Sequence, residues 1–309
     1  YYFQSARHVD QGVENAVKWL DKYGEHPFFF FFHTYDIHRY EPPEAYRNKF
    51  VAPGEHRLSS TEELARKIQS YDNRAFVESL DSADLQYIID LYDASICWVD
   101  CYVSDLLGYL EKRGLLSRTI VVLTSDHGEE FLERSRTGHG YSNFEEQIRV
   151  PLLIYHPDVK PGSRATLFRQ IDLLPTLAEA LGLQPRREWL GESLWPTVTA
   201  GDDPGASNRT LNYCECGHSD YRSLESLQWK LIDNKAPKKV LLFNLKEDPG
   251  ERKDVADDHP QVKRTMEHLL DQIESLNRKL SPRFTGESIG MDELPDELLK
   301  QLKEFGYTK

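Results

Sequence analysis

Segments whose apolar residues recur at helical spacing alternate along this chain with short, continuous apolar runs, and this alternation restricts the fold most. The segments with helical spacing are 8–23, 85–113 and 171–181. The continuous apolar runs, which we interpret as buried strands, are Phe28–Phe32, Thr119–Thr124 and 148–155. Helices that alternate with buried strands cover the faces of a parallel sheet, so the sequence predicts an α/β fold with a mostly parallel sheet flanked by helices.

Two parts of the sequence depart from this alternation. Residues 39–82 are charged and contain prolines, and we expect them to form a long excursion with short helices. After a joint rich in Gly, Asp and Pro at 200–207, short β-like segments joined by turns precede a helix predicted over about 260–278. The β-like segments are 210–216, 227–233 and 239–245. We therefore expect two domains: 1–205, part of an α/β domain, and 206–309, a small antiparallel α+β subdomain with C-terminal helices.

The formal net charge of −13 is spread along the 309 residues and limits the partners that the chain can have. Nucleic acids and anionic membrane surfaces reward basic patches, so neither is expected as the main partner. The longest apolar run, Phe28–Phe32, is far too short to cross a bilayer. The chain begins with Tyr1 instead of Met, so we do not expect its start to be the native one. The lack of a secretory pattern at this start therefore indicates little. Compartment and oligomeric state stay open.

The cysteines form two close pairs, Cys97/Cys101 in a predicted helix and Cys214/Cys216 on one face of a predicted strand. Zinc sites of the common kind need a second Cys or His pair nearby, and neither pair has one. We interpret these residues as buried or incidental thiols.

The strand predicted at Thr119–Thr124 ends in the polar run Ser125-Asp-His-Gly-Glu-Glu130. Ligands of open α/β sheets gather at the carboxyl ends of strands, so these side chains are candidates for a site. Asp126 and His127 can present one oxygen and one nitrogen to a divalent metal. Asp126 could equally cap a following helix, with His127 and the two Glu residues in its first turn. The residues alone favour neither interpretation.

Histidines mark two further candidate positions. His38 follows the phenylalanine run and precedes a Pro-containing turn, which would hold its side chain at a rim of the sheet. His33 has no such support, and we interpret it as a hydrogen-bonded structural residue. His139 lies between Gly138 and Gly140, glycines that let the backbone approach a ligand closely and leave the imidazole exposed. By itself this motif slightly favours a surface loop with an incidental histidine.

Taken in order, these motifs resemble the sulfatase family of the alkaline-phosphatase superfamily. The matching segments are Pro27–His38, Tyr92–Asp100, Thr124–Glu129, Gly138–Gly140, Glu145–Leu152, Ile171–Thr176, Trp229–Leu231, Leu242–Glu251 and Leu294–Tyr307. The likeness spans nearly the whole chain and depends on the order and spacing of the motifs, since no single one is decisive. It implies an alkaline-phosphatase-like fold in which 1–205 is the C-terminal part of the catalytic domain.

The resemblance implies a role for each matched site residue. Asp126 would be a metal ligand, and His127 occupies the adjacent ligand position. His38 matches the histidine that contacts the sulfate and the leaving-group oxygen, and His139 lies where the family has a Lys or His that touches the same anion. The implied cofactor is one divalent metal, usually calcium in sulfatases, and the implied substrate is a small aryl or carbohydrate sulfate. Separately from the resemblance, we expect the excursion 39–82 to form a substrate-selecting wall, because it directly follows His38.

The sequence departs from the family pattern at the nucleophile. Sulfatases use a formylglycine made from the Cys or Ser of a Cys/Ser-x-Pro-x-Arg motif, and no such motif occurs among the 309 residues. The resemblance therefore implies that an upstream segment supplies the nucleophile and the remaining metal ligands, and that this chain alone is inactive. We expect sulfuric-ester hydrolysis by the complete protein. A phosphonate monoester or phosphodiester hydrolase of the same superfamily and a non-catalytic anion-binding protein are the alternatives.

Overall fold

The computed structural model describes residues 2–4, 8–70, 72–164, 166–184, 186, 189–200, 211–216, 220–235 and 238–280. The chain divides into two compact units, each assembled from several segments. The first unit comprises Tyr1–Ser163, Cys214–Arg222 and Ile232–Lys239, and the second comprises Arg164–Tyr213, Ser223–Leu231 and Val240–Lys309. The boundary predicted between 205 and 206 lies outside the described residues and stays a prediction.

Helices and strands follow the predicted order. The helices are α1 (Val9–Tyr23), α2 (Glu44–Phe50), α3 (Glu62–Gln69), α4 (Arg74–Glu78), α5 (Ser82–Lys112), α6 (Glu145–Ile148), α7 (Leu173–Ala180), α8 (Trp195–Thr199) and α9 (Pro260–Leu280). The strands are β1 (Tyr2–Gln4), β2 (Phe31–His33), β3 (Val121–Thr124), β4 (Glu130–Phe131), β5 (Thr137–Gly138), β6 (Leu152–Tyr155), β7 (Asn212–Glu215), β8 (Tyr221–Glu225), β9 (Trp229–Lys235) and β10 (Lys238–Asn244). The predicted helices are thus confirmed as α1, α5, α7 and α9, and α2 to α4 confirm the short helices of the excursion.

Helix α5 has sequence signals at both of its ends. The Asp81 side chain accepts hydrogen bonds from the backbone of Ala83 and Asp84, and the Asp84 carboxylate accepts one from the backbone of Asp81. Such a reciprocal cap satisfies amide groups that have no partner within the helix. After the helix, Gly114 takes a left-handed conformation with φ of 68°, as predicted, because glycine adopts it without a steric penalty.

The strand pairing among the described residues of the first unit is mixed in direction. Strands β1 and β2 are parallel, but β3 and β6 are antiparallel, with Val121 opposite Tyr155 and Thr124 opposite Leu152. Strands β4 and β5 form an antiparallel hairpin. A parallel return needs a crossover connection, usually a helix. The segment between β3 and β6 holds only this hairpin and the short helix α6, so the chain returns in the opposite direction.

The phenylalanine run is not buried on both faces as predicted. Phe29 and Phe31 are 66% and 46% exposed, whereas Phe28, Phe30 and Phe32 are half-buried. Strand β6 alternates in the same way, with Leu153 and Tyr155 exposed. Successive side chains of a strand point to opposite faces, so each strand packs one apolar face inside the first unit and presents the other to solvent.

Buried clusters around α1, α3 and α5 build the core of the first unit. One cluster joins Tyr40, Leu64, Ile68, Ile88 and Leu91, so the excursion packs directly on α5. A second cluster joins Val9 and Val13 of α1 to Trp98 and Val99 of α5. The excursion is therefore an integral part of this unit.

The C-terminal sheet is confirmed as a four-stranded antiparallel sheet in the order β10-β9-β8-β7. In the second unit, helix α9 packs Met266 and Leu270 against Leu224, Leu231 and Leu242. The same unit contains a fully buried ion pair with Lys230 Nζ 2.5 Å from Glu251 Oε1. The predicted tail motif Leu294–Tyr307 lies outside the described residues. Within the part of the chain that the structure describes, no helix is long and apolar enough to span a membrane.

Candidate active site

His38 is placed by a polar turn after β2. The buried Asp36 carboxylate accepts hydrogen bonds from Val9 N at 2.5 Å and Thr34 Oγ1 at 2.7 Å, which ties the end of β2 to the start of α1. A 3-10 turn over Ile37–Arg39 follows and carries His38. Burial, followed by the positive charges of neighbouring groups, lowers the pKa of His38 from 6.5 to about 4, so the ring is neutral at pH 7.

Asp126 and His127 follow β3 in an extended turn. Strand β4 follows, so the interpretation of Asp126 as a helix cap is wrong. Asp126 Oδ1 accepts from His127 N at 3.1 Å, and Asp126 Oδ2 lies 3.7 Å from His127 Nε2. A side chain at Gly128 would collide with the backbone oxygen of Glu146, which explains the glycine of this motif.

The tautomer of His127 follows from its neighbour. Its Nδ1 lies 2.8 Å from the Gly128 carbonyl oxygen, which can only accept a hydrogen bond. Nδ1 therefore carries the proton of the neutral ring, and Nε2 has a lone pair beside the Asp126 carboxylate. Metal-binding histidines commonly donate their other N–H to a carbonyl or carboxylate in this way.

The donor set therefore fits a divalent metal in kind but is incomplete. One carboxylate and one imidazole nitrogen suit such an ion, whereas calcium takes roughly six to eight oxygen ligands. Among the described residues, no group of three or more His, Cys, Asp or Glu side chains is arranged to hold a metal.

His139 lies on the loop after β5, where Gly138 and Gly140 have φ of 94° and 80°. Its side chain is only 17% exposed, so the interpretation as an incidental surface histidine is wrong. His139 Nδ1 is 3.2 Å from Oε2 of the buried Glu129, and this carboxylate oxygen accepts a hydrogen bond from Nδ1. The imidazole is thus held by a carboxylate that the sequence analysis placed in the polar run without a role.

The side chains singled out in the sequence converge. The rings of His127 and His139 stack with centroids 3.7 Å apart, and those of His139 and His38 are 5.2 Å apart. Asp126 is close enough to oppose the lowering of the His38 pKa by burial. His33 stays at the edge of this cluster: its ring lies 4.4 Å from that of Tyr35, and burial lowers its pKa.

Gln69, at the end of α3, was missed by the sequence analysis. Its side-chain Nε2 lies 2.5 Å from the His38 carbonyl oxygen and 3.2 Å from His38 Nδ1. Neither position nor spacing distinguishes Gln69 from the other polar residues of the charged excursion. Only the packing of α3 against the first unit brings the amide to the histidine.

The cysteines play no part in this cluster that the contacts reveal. All four are free thiols of intermediate burial. Cys216 Sγ is 3.0 Å from the Gly140 carbonyl oxygen, and Asn143 Nδ2 donates to the Cys214 carbonyl at 3.0 Å. These contacts support the loop that carries His139.

Comparisons with known proteins show the family of this chain. The family model described as Sulfatase matches residues 2–183, which include Asp126, His127, His139 and His38. The chain belongs to the sulfatase family. A second family model, described as N-sulphoglucosamine sulphohydrolase, C-terminal, matches residues 141–279 of this sulfatase-family chain.

Curated relatives of this sulfatase-family chain include arylsulfatase K of several vertebrates. The Xenopus laevis protein is 30% identical over 197 residues, which is 59% of this chain and 36% of that protein. The Homo sapiens protein is 27% identical over 202 residues, which cover 62% of this chain and 37% of that protein. The chain thus matches little more than a third of the length of these relatives.

Solved structures confirm the alkaline-phosphatase-like α/β fold of this sulfatase-family chain. A protein in complex with its substrate D-glucosamine-2-N,6-O-disulfate has a TM-score of 0.64 and 19% identity, covering 91% of this chain and 71% of its own. The phosphonate monoester hydrolase of Agrobacterium radiobacter has a TM-score of 0.68 and 21% identity. The match covers 90% of this chain and 62% of the hydrolase chain.

Proposed function

We propose that this chain forms one wall of the active site of a sulfuric-ester hydrolase. The observation that carries the proposal is the convergence of His38, His139, His127 and Asp126 in one unit, with ring centroids 3.7 Å and 5.2 Å apart. Segments distant in sequence supply these groups. Such a cluster of donors and one carboxylate suits an anionic ester held against a cation.

Asp126 and His127 are the residues that would hold the metal. The Nε2 lone pair of His127 and Oδ2 of Asp126 lie 3.7 Å apart, a separation that leaves room for both atoms to contact one ion. When bound, a divalent metal, for which calcium is our choice, neutralises charge on the sulfuryl oxygens and orients the nucleophile. The further ligands and the formylglycine nucleophile come, in this proposal, from residues outside the 309, and the chain by itself is inactive.

His139 and His38 act on the transferring group. His139, whose Nδ1 is 3.2 Å from Glu129 Oε2, has its Nε2 available for the sulfuryl oxygens in this proposal. His38 contacts the leaving-group oxygen. Because its ring is neutral at pH 7, it stabilises the developing charge on that oxygen by donating a hydrogen bond, which is effective in a site shielded from water.

The substrate in this proposal is a small aryl or carbohydrate sulfate. Its support is the family membership, the arylsulfatase relatives and the amino-sugar disulfate bound by one structural neighbour. A phosphonate monoester is the second candidate, because a phosphonate monoester hydrolase shares the fold. A non-catalytic anion-binding protein is the third.

Turnover measurements separate the three candidates. The natural protein that contains these residues is assayed with 4-nitrophenyl sulfate, a phenylphosphonate monoester and bis-4-nitrophenyl phosphate. We expect the highest kcat/KM with the sulfate. A higher value with either phosphorus ester would replace the proposal by the second candidate, and no turnover of any substrate by the metal-loaded protein would favour the third.

A leaving-group series tests the position of His38. The variant His38→Asn is expected to lose more kcat on phenyl sulfate than on 4-nitrophenyl sulfate, because the poorer leaving group depends more on hydrogen-bond donation. His268→Asn, at an exposed histidine of α9, is the matched control and should leave both rates unchanged. Equal losses of kcat on the two esters would contradict the proposed contact between His38 and the leaving-group oxygen.

A further inference from the structure

We propose that Gln69 is a positioning residue that holds His38 in the tautomer with its proton on Nε2. The inference rests on the proposed function for its catalytic consequence, but the tautomer itself is a property of this chain. Gln69 belongs to the excursion, which the sequence analysis expected to select substrates.

The two contacts of the Gln69 amide define the direction of its hydrogen bonds. The same atom, Nε2, faces both the His38 carbonyl oxygen at 2.5 Å and His38 Nδ1 at 3.2 Å. A carbonyl oxygen only accepts, so the amide group that faces it must be the NH₂. The second hydrogen of that NH₂ is then donated to Nδ1, which must accept. A neutral imidazole carries one proton, and it is left on Nε2.

The backbone around Gln69 is anchored on the loop that carries His139. The Asn73 amide donates to the Ile68 carbonyl at 2.9 Å and to the Thr137 carbonyl at 2.9 Å, and Thr137 Oγ1 donates to the Ile68 carbonyl at 3.0 Å. The Tyr141 hydroxyl donates to the carbonyl of Gln69 itself. Asn73 and Thr137 are buried, so these bonds are shielded from water.

The tautomer determines what His38 offers to an anion. With the proton on Nε2, the edge of the ring away from Gln69 is a hydrogen-bond donor for an anionic oxygen. With the proton on Nδ1, that edge would present a lone pair and repel the same oxygen. Gln69 therefore selects the form of His38 that binds an anion, without any contact between Gln69 and the substrate.

Nitrogen NMR of histidine tests the tautomer directly and needs no activity. In the ¹⁵N-histidine-labelled 309-residue chain at pH 8, we expect His38 to show a protonated Nε2 and an unprotonated Nδ1. Its signals are assigned by their loss in His38→Asn. Gln69→Glu, of nearly the same shape, can only accept and should move the proton to Nδ1. The leucine side chain of Gln69→Leu can neither donate nor accept a hydrogen bond, so this variant should give a mixture of tautomers.

The matched control is another Gln–His pair. Gln272 Nε2 lies 2.9 Å from His268 Nε2 on an exposed face of α9, so Gln272→Glu makes the same chemical change without touching His38. It should leave the His38 signals as in the wild type. A protonated Nδ1 in the wild type, or a His38 tautomer unchanged in both Gln69→Glu and Gln69→Leu, would overturn the proposal. The leucine variant decides the question if the glutamate variant does not fold.

Kinetics of the natural protein that contains these residues provide the second measurement. Loss of one well-placed donor to a transition-state oxygen costs on the order of 10²-fold in kcat, so Gln69→Glu should lower kcat by about that factor and change KM little. An equal kcat in wild type and variant, with the tautomer moved, would overturn the catalytic part. A wild-type protein that hydrolyses no sulfate ester would instead refute the proposed function and leave the tautomer assignment standing.

Discussion

The lowered pKa of His38 makes the stability of the chain depend on pH in a defined window. Burial and neighbouring positive charge lower this pKa from 6.5 to about 4. Between these values the unfolded chain binds a proton at His38 and the folded chain does not, so the unfolded state is favoured as the pH falls. The loss of stability therefore begins near pH 6.5 and is complete below about pH 4.

The size of the loss follows from the two pKa values. Each pKa unit corresponds to about 1.4 kcal/mol, so the whole shift represents about 3 kcal/mol. At pH 5 the imidazole of the unfolded chain is almost fully protonated and that of the folded chain is almost fully neutral. We therefore expect His38 to cost about 2 kcal/mol of unfolding free energy between pH 7 and pH 5.

Urea unfolding of wild type and His38→Asn at pH 7 and pH 5 measures this cost. Asparagine does not titrate, and its amide oxygen can accept the hydrogen bond that Gln69 donates to Nδ1. The wild type should lose about 2 kcal/mol more than the variant on acidification. His33, whose pKa burial also lowers, titrates in both proteins and cancels in the difference. Equal losses in the two proteins would refute the reasoning, and His268→Asn should behave as the wild type.

Two further substitutions test the packing by urea unfolding at pH 7. Gly138→Ala should destabilise the chain by roughly 1–3 kcal/mol more than Gly114→Ala: both glycines have positive φ, but a Cβ at 138 would lie 2.8 Å from the Ile68 carbonyl oxygen and one at 114 has nothing within 4 Å. Lys230→Met should cost about 3–5 kcal/mol, because it leaves the buried Glu251 carboxylate without its ion-pair partner. Equal effects of the two glycine substitutions, or a loss below about 1 kcal/mol at Lys230, would contradict these accounts.

The local motifs of the site could be predicted because each is contained in a few consecutive residues. Asp126 and His127 end a strand, His139 lies between two glycines, and His38 follows the phenylalanine run. The order of these motifs then led to the family that the comparisons confirm. Alone, the motifs left their alternatives open. Only the structure excluded the helix cap at Asp126 and the surface loop at His139.

Long-range features were out of reach of the sequence. An apolar run such as 148–155 predicts a strand but carries no signal for its direction, so the antiparallel pairing of β3 with β6 was not expected. Gln69 lies 31 residues from His38 in a charged segment, and only tertiary packing joins them. Likewise, the partner of His139 became apparent only when the hairpin of β4 and β5 placed Glu129 beside it.

The hydrogen bonds from Asn73 and Thr137 to Ile68 make the end of α3 sensitive to changes in chain length. Gln69 follows Ile68 directly, so an inserted residue next to Ile68 would displace the Gln69 amide from His38. In the tautomer proposal, such an insertion would change the proton position on His38 even where every histidine of the cluster is retained.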